Sequence, residues 1–597
     1  MYASLQNVRY LLHDVHNAEE LAQYSYFSDY TRETIDMMVQ AAKDLADTEM
    51  YPYFTEMDTY GVHYENGTIR VHPQLKNVIR KGAEGGWVGA TARHEHGGMQ
   101  MPELLFNAAT HFFHAANNGV VGYITLTTGS SRLITNFGAQ HLIDTYIPKM
   151  FNGQWQGTMA LTEPQAGSSL SDIVTAAKPT AQEGVYHITG QKIYISAGDH
   201  NATENVVHLL LARIEGAPAG TKGISLFVVP KLRPNADGTL TPNNVTTAGN
   251  YGKIGQKTYT TTHLMFGEQG ACEGYLVGEP HKGLTYMFQM MYEARIGVGL
   301  TAVSTATAAY YASLKYCNER PQGRRLNEKD MSIPPTLIIN HPDVRRMLFF
   351  QKAVNEAALS LVFECAKLQD LMHVQTGAAR ESARLLLEIL IPVCKTYPSE
   401  YGCQAISAGL QTLGGAGFCY DFPLQQYYRD ARIMPIYEGT TGIQSLDLLG
   451  RKVTMEDGQA VAAFLDAAGK TIQQAVAHET LAPYSERLNV MLTQLQTVIH
   501  QLMSVAKTGD KERFLSDATL FMEYFSLITI GWQWLKMGVV SAEALATAQG
   551  DEAAFHRSKI HTLRFYFHYE LPKTQGLVSR LMETEYLTLP MEEELLM

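Results

Sequence analysis

The chain has 597 residues, 45% of them hydrophobic, and its formal net charge is -12 at pH 7. A chain of this length predicts several packed domains rather than one. The acidic balance excludes a nucleic-acid-binding protein, because phosphate binding needs clustered lysine and arginine. The six cysteines form no CxxC pair, and no basic segment precedes an apolar run near the first residue. We therefore expect free thiols and a cytoplasmic protein.

The first region of the sequence has the periodicity of helices. Apolar residues recur there at the spacing of one helix face, as in Ile35, Met38, Val39, Ala42 and Leu45. We expect an N-terminal extension at residues 1–34 and a helical domain at residues 35–156.

The pattern changes near Gly157, where short runs are β-branched or continuously apolar. Three such runs are Gln191–Ser196, Val206–Ala212 and Ile224–Val229. Turn-forming clusters such as Pro234–Gly238 separate the runs. The spacing predicts a compact β domain over residues 157–277.

Helical sequence resumes afterwards, and we expect a helical bundle at residues 278–452 and a helical extension at residues 453–597. The extension carries an apolar seam typical of one helix of a bundle, formed by Leu488, Leu492, Leu495, Ile499 and Leu502. Its most apolar stretch, Ala518–Val540, contains Glu523, Gln533 and Lys536. A membrane span needs about 20 largely uncharged residues, so a buried helix is favoured and no integral membrane segment is expected.

Taken in order, these regions predict a multidomain α+β fold. Its parts are an N-terminal helical domain, a central β-barrel-like domain, a C-terminal four-helix bundle and an extra C-terminal helical domain.

Two motifs resemble a dinucleotide-binding loop and a zinc site but lack the spacing or context that those sites require. Gly414–Phe418 is rich in glycine but follows a helical stretch and lacks the full GxGxxG of a dinucleotide loop. His94 and His96 flank a glutamate, but the spacing is not that of an HExxH zinc site, and a hydrogen-bonded loop is favoured.

Two other segments carry a possible active site, and residue chemistry alone leaves both open. Ala160–Ser169 offers hydroxyls and backbone N–H groups at the start of the β domain, but an ordinary Pro-Gly turn is equally consistent. Glu438, between Tyr437 and Gly439, could be a partly desolvated general base. The alternative, a carboxylate in the first turn of the next helix, is favoured about two to one on the sequence alone.

The two segments occur together with three others in a fixed order. These are Gly190–Ser196, Gln411–Gly415 and Arg429–Arg432. The combination and the helix–β–helix layout resemble the acyl-CoA dehydrogenase family over roughly residues 35–450. The long form resembles a branch that includes bacterial long-chain acyl-CoA dehydrogenases and 3-methylmercaptopropionyl-CoA dehydrogenases.

The resemblance implies FAD as the cofactor and an acyl-CoA as the substrate. The positions implied to contact FAD are Leu161, Thr162, Ser168, Tyr194, Ser196, Arg320, Gln411, Gly414, Gly415 and Thr440. Those implied to contact the acyl-CoA are Ser168, Tyr292, Arg295, Tyr437 and Gly439. In the family, the positions of Arg320 and Gln411–Gly415 contact the FAD of a neighbouring subunit. This implies a homo-oligomer.

The family places its catalytic base at one of two sequence positions. Here the first is Glu438 and the second is Ala294, while the neighbouring Glu293 is out of register. Adjacent helical residues point about 100° apart, so Glu293 cannot substitute. The resemblance therefore implies that Glu438 removes the α-proton while a hydride passes to N5 of FAD. Arg295 is then expected to contact the substrate or orient a helix.

Several positions depart from the family pattern. Arg320–Gly323 is one residue shorter than expected and lacks an aromatic residue, and Gly442 stands where a glutamine often contacts FAD. The C-terminal extension could cover a tetramer-forming surface, so a dimer is expected. The implied electron acceptor is electron-transferring flavoprotein, and the alternatives are an acyl-CoA oxidase and a catalytically silent scaffold.

Overall fold

A computed structural model describes residues 1–589 and 592–596, and for residues 288–291, 593 and 596 it describes the backbone only. The chain divides into two compact units. We call Ser25–Ala294 the β-containing unit, and Met1–Tyr24 with Arg295–Met597 the helical unit.

Apart from one short hairpin, the helices and strands follow one another in the order that the sequence predicts. The helices are α1 (Leu5–Arg9), α2 (Arg32–Leu45), α3 (Phe54–Tyr60), α4 (Gln74–Glu84), α5 (Glu103–Phe137), α6 (Gln140–Phe151), α7 (Gly283–Glu319), α8 (Pro342–Val374), α9 (Gly377–Thr412), α10 (Leu424–Ala431), α11 (Thr441–Asp447), α12 (Gln459–Val476), α13 (Ala482–Ala506), α14 (Lys511–Leu515), α15 (Ala518–Ala544), α16 (Gly550–Phe565) and α17 (Thr574–Leu581). The strands are β1 (His63–Glu65), β2 (Thr68–Arg70), β3 (Trp155–Ala160), β4 (Ala176–Pro179), β5 (Val185–Ser196), β6 (Asn205–Ile214), β7 (Ile224–Pro230), β8 (Leu232–Pro234), β9 (Leu240–Pro242), β10 (Val245–Asn250), β11 (Thr261–Phe266) and β12 (Glu273–Leu276).

The β domain contains a closed barrel of five strands. β4 pairs with β5, β5 with β12, β12 with β7, and β7 with β6, all antiparallel. The ring closes where β6 runs parallel to β4. Outside this ring, β3 pairs with β6, and β11 and β10 extend from β5. The barrel-like prediction is confirmed.

Helix α5 fixes the position of β3, the strand that leads into the first candidate motif. The Gly157 N–H donates to Thr127 Oγ1 at 3.1 Å. A Cβ atom at Gly157 would lie 2.8 Å from the Cβ of Ser130 and 3.0 Å from the Cα of Thr127. Glycine therefore lets the helix approach the strand this closely.

The β-containing unit also holds a hairpin that we did not predict. β1 and β2 pair antiparallel around Asn66 and Gly67, which both have positive φ, 51° and 77°. The Asn-Gly dipeptide is a strong hairpin signal, so the sequence did contain the information.

In the helical unit, α8 and α9 pack along each other and are joined by two residues, Gln375 and Thr376. The apolar helix α15 is buried and contacts α8, α11, α12, α13, α16 and α17. The prediction of a buried helix there is confirmed. In the part of the chain that the structure describes, no helix has the length and apolarity needed to span a bilayer.

Helix α13 follows the predicted seam with one change. Val498 is buried in the place predicted for Ile499, which is only partly buried.

Candidate active site

The first candidate motif is a turn after β3, in the β-containing unit. The Leu161 carbonyl accepts from Lys192 Nζ at 2.9 Å, and the Thr162 carbonyl accepts from the Ile193 N–H at 2.9 Å. The N–H and hydroxyl of Thr162 have no hydrogen-bond partner among the residues that the structure describes. The turn therefore holds its acceptors inward and leaves donors for a ligand.

A buried ion pair supports this turn. Lys192 Nζ lies 2.8 Å from Glu163 Oε1, and both side chains are almost completely buried. The Glu163 carboxylate also accepts from the N–H groups of Val174 at 2.7 Å and Thr175 at 3.1 Å. Burial opposes ionisation of Glu163, but the Lys192 ammonium and these donors hold the pKa of its carboxyl below the usual value. Burial lowers the pKa of Lys192 to about 8.

The end of β5 carries two further candidate residues. Tyr194 has φ +57° and is 58% exposed, with its ring 4.5 Å from that of Tyr251. The Ser196 carbonyl accepts from the Thr158 hydroxyl at 2.5 Å. A large exposed aromatic ring in a strained backbone conformation is typical of a ligand-binding position. Ser168, in the turn before β4, is also exposed.

The second candidate motif, Tyr437–Thr440, is a tight turn before α11, in the helical unit. Glu438 and Gly439 both have positive φ, 53° and 85°. The Glu438 carbonyl accepts from Gln444 Nε2 at 3.1 Å. Thr440 is the N-cap of α11, because its hydroxyl accepts from the Ile443 N–H at 3.2 Å. Glu438 therefore lies outside the helix, and the interpretation of it as a first-turn carboxylate is wrong.

Helix α9 contacts the residue that follows this turn. The Thr441 hydroxyl donates to Glu400 Oε1 at 2.5 Å, and the Thr441 N–H donates to the Pro435 carbonyl at 3.0 Å. Glu400 also lines a cavity of about 640 Å³ together with Gln411, Arg432 and Pro435. The turn is thus anchored at both ends, by Gln444 and by Glu400.

Glu438 is an exposed side chain with an unusual electrostatic setting. Its carboxylate and its backbone N–H have no hydrogen-bond partner in residues 1–589 and 592–596. Enough protein surrounds the carboxyl for desolvation to raise its pKa, and the positive charges of Lys395 and Arg295 offset this in part. A carboxylate of raised pKa and free lone pairs has the properties of a general base.

Lys395 is the functional candidate that the sequence did not reveal. Its side chain on α9 is fully buried, and its Nζ has no hydrogen-bond partner within the described residues. Burial lowers the pKa of Lys395 to about 8, against the opposing charges of Glu400 and Glu438. Its place in the apolar run Ile391–Lys395 was the available signal, since a lysine is seldom fully buried.

The predicted substrate contacts differ in their surroundings. Arg295 is buried and donates to Asp447 Oδ2 at 2.7 Å, so it orients α7 against α11. The ring of Tyr437 packs against Val298 and Met434. Tyr292 is half-buried on α7.

Glu293, next to Tyr292, forms an ion pair with Arg132, which also contacts Glu103 at 2.6 Å. These contacts hold the carboxylate of Glu293. The arrangement agrees with its exclusion as a base.

The remaining predicted cofactor residues lie on exposed surface of the helical unit. Arg320 follows the end of α7, and Gln411 lies in the last turn of α9. Gly414, with φ +59°, and Gly415 open a 3₁₀ turn that follows α9. A dinucleotide loop connects a strand to a helix, so this segment is not one.

Among the described residues, no group of three or more histidine, cysteine, aspartate or glutamate side chains could hold a metal ion. His94 and His96 lie in a 3₁₀ turn, where the Nδ1 of His94 is 3.0 Å from the Gly98 carbonyl.

Comparison with known families identifies the class of protein. Models of the acyl-CoA dehydrogenase N-terminal, middle and C-terminal domains match residues 32–154, 158–268 and 281–453. A model described as acetyl-CoA dehydrogenase C-terminal like matches residues 464–592. The chain belongs to the acyl-CoA dehydrogenase family and is an oxidoreductase, as the resemblance implied.

Among named relatives, the chain is 35% identical to 3-methylmercaptopropionyl-CoA dehydrogenase of Ruegeria pomeroyi, over 89% of this chain and 90% of the relative. Two solved structures share its fold. Caenorhabditis elegans ACDH-11 in complex with C11-CoA has a TM-score of 0.75 at 19% identity, covering 98% of this chain and 92% of the other. An acyl-CoA dehydrogenase complexed with FAD from Bacillus anthracis has a TM-score of 0.73 at 21% identity, covering 94% and 90%.

Proposed function

We propose that the protein oxidises an acyl-CoA to a trans-2-enoyl-CoA, with Glu438 as the base that takes the α-proton and bound FAD as the acceptor of the β-hydride. The observation that carries this proposal is the state of Glu438. It combines a raised pKa, a carboxylate without a partner in the described residues, and a left-handed backbone held by Gln444.

The turn around Glu438 also offers a group for the thioester. The α-C–H of a thioester is a weak acid, so proton removal needs stabilisation of the developing enolate oxygen. The backbone N–H of Glu438 is unbonded among the described residues, while its carbonyl is held by Gln444. One residue can thus supply both the base and a hydrogen bond to the substrate carbonyl.

The cofactor is FAD, and the free donors of the β-containing unit fit it. A flavin presents acceptor atoms on its pyrimidine edge, and the N–H and hydroxyl of Thr162 are the matching donors. The exposed ring of Tyr194 suits the flat face of an aromatic ligand. We assign Leu161, Ser168, Ser196 and Thr440 to the same cofactor. FAD when bound supplies the two-electron acceptor for the reaction.

The family resemblance extends the proposal to two partners. Arg320 and Gln411–Gly415 would contact the FAD of a second copy, which makes a homodimer the proposed assembly. Electron-transferring flavoprotein is the proposed acceptor of the electrons.

We also keep the five-part domain division and the four-helix bundle as proposals, together with a cytoplasmic location.

The two alternatives are weaker. The named relative at 35% identity is a dehydrogenase, and it gives no support to an acyl-CoA oxidase. A silent scaffold would not need a carboxylate kept unpaired in a strained turn, because strain of this kind costs about 1–3 kcal/mol per residue.

Replacement of Glu438 by glutamine tests the proposal. The variant should bind FAD as the wild type does but fail to bleach the flavin absorbance when acyl-CoA is added without oxygen. A general base contributes about 10²–10⁴-fold to a rate. The rate of flavin bleaching should therefore fall by at least about 10²-fold. Bleaching at the wild-type rate would refute the role of Glu438. A wild-type protein that retains no FAD would refute the whole proposal.

A further inference from the structure

Lys192 connects the two flavin segments of the β-containing unit. It lies on β5, two residues before Tyr194, and its side chain has no solvent exposure. Its ammonium donates to the Leu161 carbonyl at 2.9 Å and to Glu163 Oε1 at 2.8 Å. A buried lysine is costly unless its charge is matched. The position therefore indicates a specific task.

The carbonyl that Lys192 contacts belongs to the peptide that carries the Thr162 N–H. A peptide whose oxygen is bound to a cation is polarised, and its N–H becomes a stronger hydrogen-bond donor. This N–H is unbonded among the described residues. The charge of Lys192 thus acts through one peptide group on the Thr162 N–H, a donor that no described residue binds.

Glu163 keeps this cation charged and in place. Its second oxygen accepts from the Val174 N–H at 2.7 Å and from Gln165 Nε2 at 2.8 Å, which fixes the carboxylate on the side away from the peptide. The ammonium can then contact the carboxylate and the Leu161 carbonyl at the same time. Glu163 is not placed to contact a ligand, since it is 2% exposed.

We propose that Lys192 is a positioning residue that raises the reduction potential of bound FAD by polarising the Leu161–Thr162 peptide. This inference rests on the proposed function, because it needs the Thr162 N–H to face the flavin. Uptake of a hydride adds negative charge to the flavin, so a stronger donor stabilises the reduced form more than the oxidised form. The effect is on the balance of the two forms, not on substrate contact.

The test uses purified holoenzyme and the midpoint potential of its flavin, measured by anaerobic equilibration with a reference dye. Lys192→Met removes the charge and the donor. At a fixed potential, the ratio of reduced to oxidised flavin should fall about tenfold, which for two electrons is ~30 mV. Lys192→Arg keeps a permanent charge and should stay closer to the wild-type potential.

The matched control is Lys178→Met, an exposed residue of strand β4 in the same unit. It removes one positive charge from a solvated position and should leave the potential unchanged. Glu163→Gln gives a second route to the same answer. It removes the charge that keeps Lys192 protonated, so the potential should fall as in Lys192→Met.

A purely structural Lys192 would weaken oxidised and reduced FAD equally, which leaves the potential unchanged. Wild-type potentials in Lys192→Met and Glu163→Gln would therefore overturn the inference, whatever the loss of FAD affinity. If Lys192→Met yields no folded holoenzyme, the potential of Glu163→Gln decides. Failure of the proposed function is distinct, since it would appear in the wild type as a lack of flavin or of bleaching by acyl-CoA.

Discussion

The guanidinium of Arg295 lies 2.7 Å from the Asp447 carboxylate, and both side chains are buried, at 7% and 6% exposure. The pair joins α7 to α11, the helix that begins just after the Glu438 turn. Asp447 has a second cationic neighbour in Arg451, at 3.4 Å, but that side chain is 71% exposed. One carboxylate thus has a buried partner and a solvated one.

This contrast gives a prediction of stability. Arg295→Met leaves the Asp447 charge buried with only its solvated partner, and such a loss costs about 3 kcal/mol. Arg451→Met removes an exposed pair and should cost less than ~1 kcal/mol. Thermal unfolding of both variants measures the difference. Equal melting temperatures would show that the buried pair does not hold α7 against α11.

Gly439 is predicted to be irreplaceable in the Glu438 turn. Its φ is +85°, and a Cβ atom there would lie 2.5 Å from Gln444 Nε2, the group that holds the Glu438 carbonyl. Gly439→Ala should destabilise the protein by about 1–2 kcal/mol through backbone strain alone. It should also reduce the rate of flavin bleaching, because the base loses its anchored geometry.

The control for this variant lies three residues further on. Gly442 is the second residue of α11 and has an ordinary φ, and the atom nearest to a new Cβ there is 3.7 Å away. Gly442→Ala should leave the melting temperature unchanged or raise it, since alanine favours a helix by up to about 1 kcal/mol. Equal melting temperatures for Gly439→Ala and Gly442→Ala would contradict the strain argument.

Local patterns predicted most of the fold, because helix and strand periods are properties of neighbouring residues. The closing pair of the barrel, β4 with β6, joins Ala176 to Arg213. It depends on long-range packing that no local pattern encodes. The overlooked hairpin at Asn66 has a different cause, since its turn signal was present and was outweighed by the surrounding helical sequence.

The candidate site was predictable only in part. The identity of Glu438 followed from a motif, but its left-handed backbone, and an N–H that no described residue binds, are visible only in three dimensions. Lys395 lies in none of the motifs, and Lys192 lies within Gly190–Ser196 without being a predicted site residue. Their importance comes from burial beside a carboxylate or a carbonyl, which the spacing of residues along the chain cannot reveal.

Lys395 should set the pH at which the base works. Glu438 acts as a base only when ionised, and its pKa is raised by desolvation but lowered by the Lys395 charge. Removal of that charge in Lys395→Met lets the pKa of Glu438 rise further. The acid limb of the pH profile of flavin bleaching should therefore move to higher pH, with less activity at low pH.

Lys315→Met is the control, since Lys315 is 73% exposed on α7 and pairs with Glu319. Its acid limb should coincide with that of the wild type. An acid limb that stays in place or moves to lower pH in Lys395→Met would show that the lysine does not act on Glu438.

The alternative base position provides the last prediction. Ala294 follows Glu293, whose carboxylate forms an ion pair with Arg132. Arg132 therefore already has a carboxylate partner, and a glutamate introduced at position 294 is not the residue in that ion pair. Ala294→Glu in the Glu438→Gln background should restore flavin bleaching to at least about tenfold above Glu438→Gln alone, within the range that a general base contributes. Stopped-flow absorbance with acyl-CoA under anaerobic conditions measures the rate. Ala294→Gln in the same background keeps the size of the side chain without the base, and it should restore nothing. Equal rates for the glutamate and glutamine versions would show that position 294 cannot reach the α-proton in this protein.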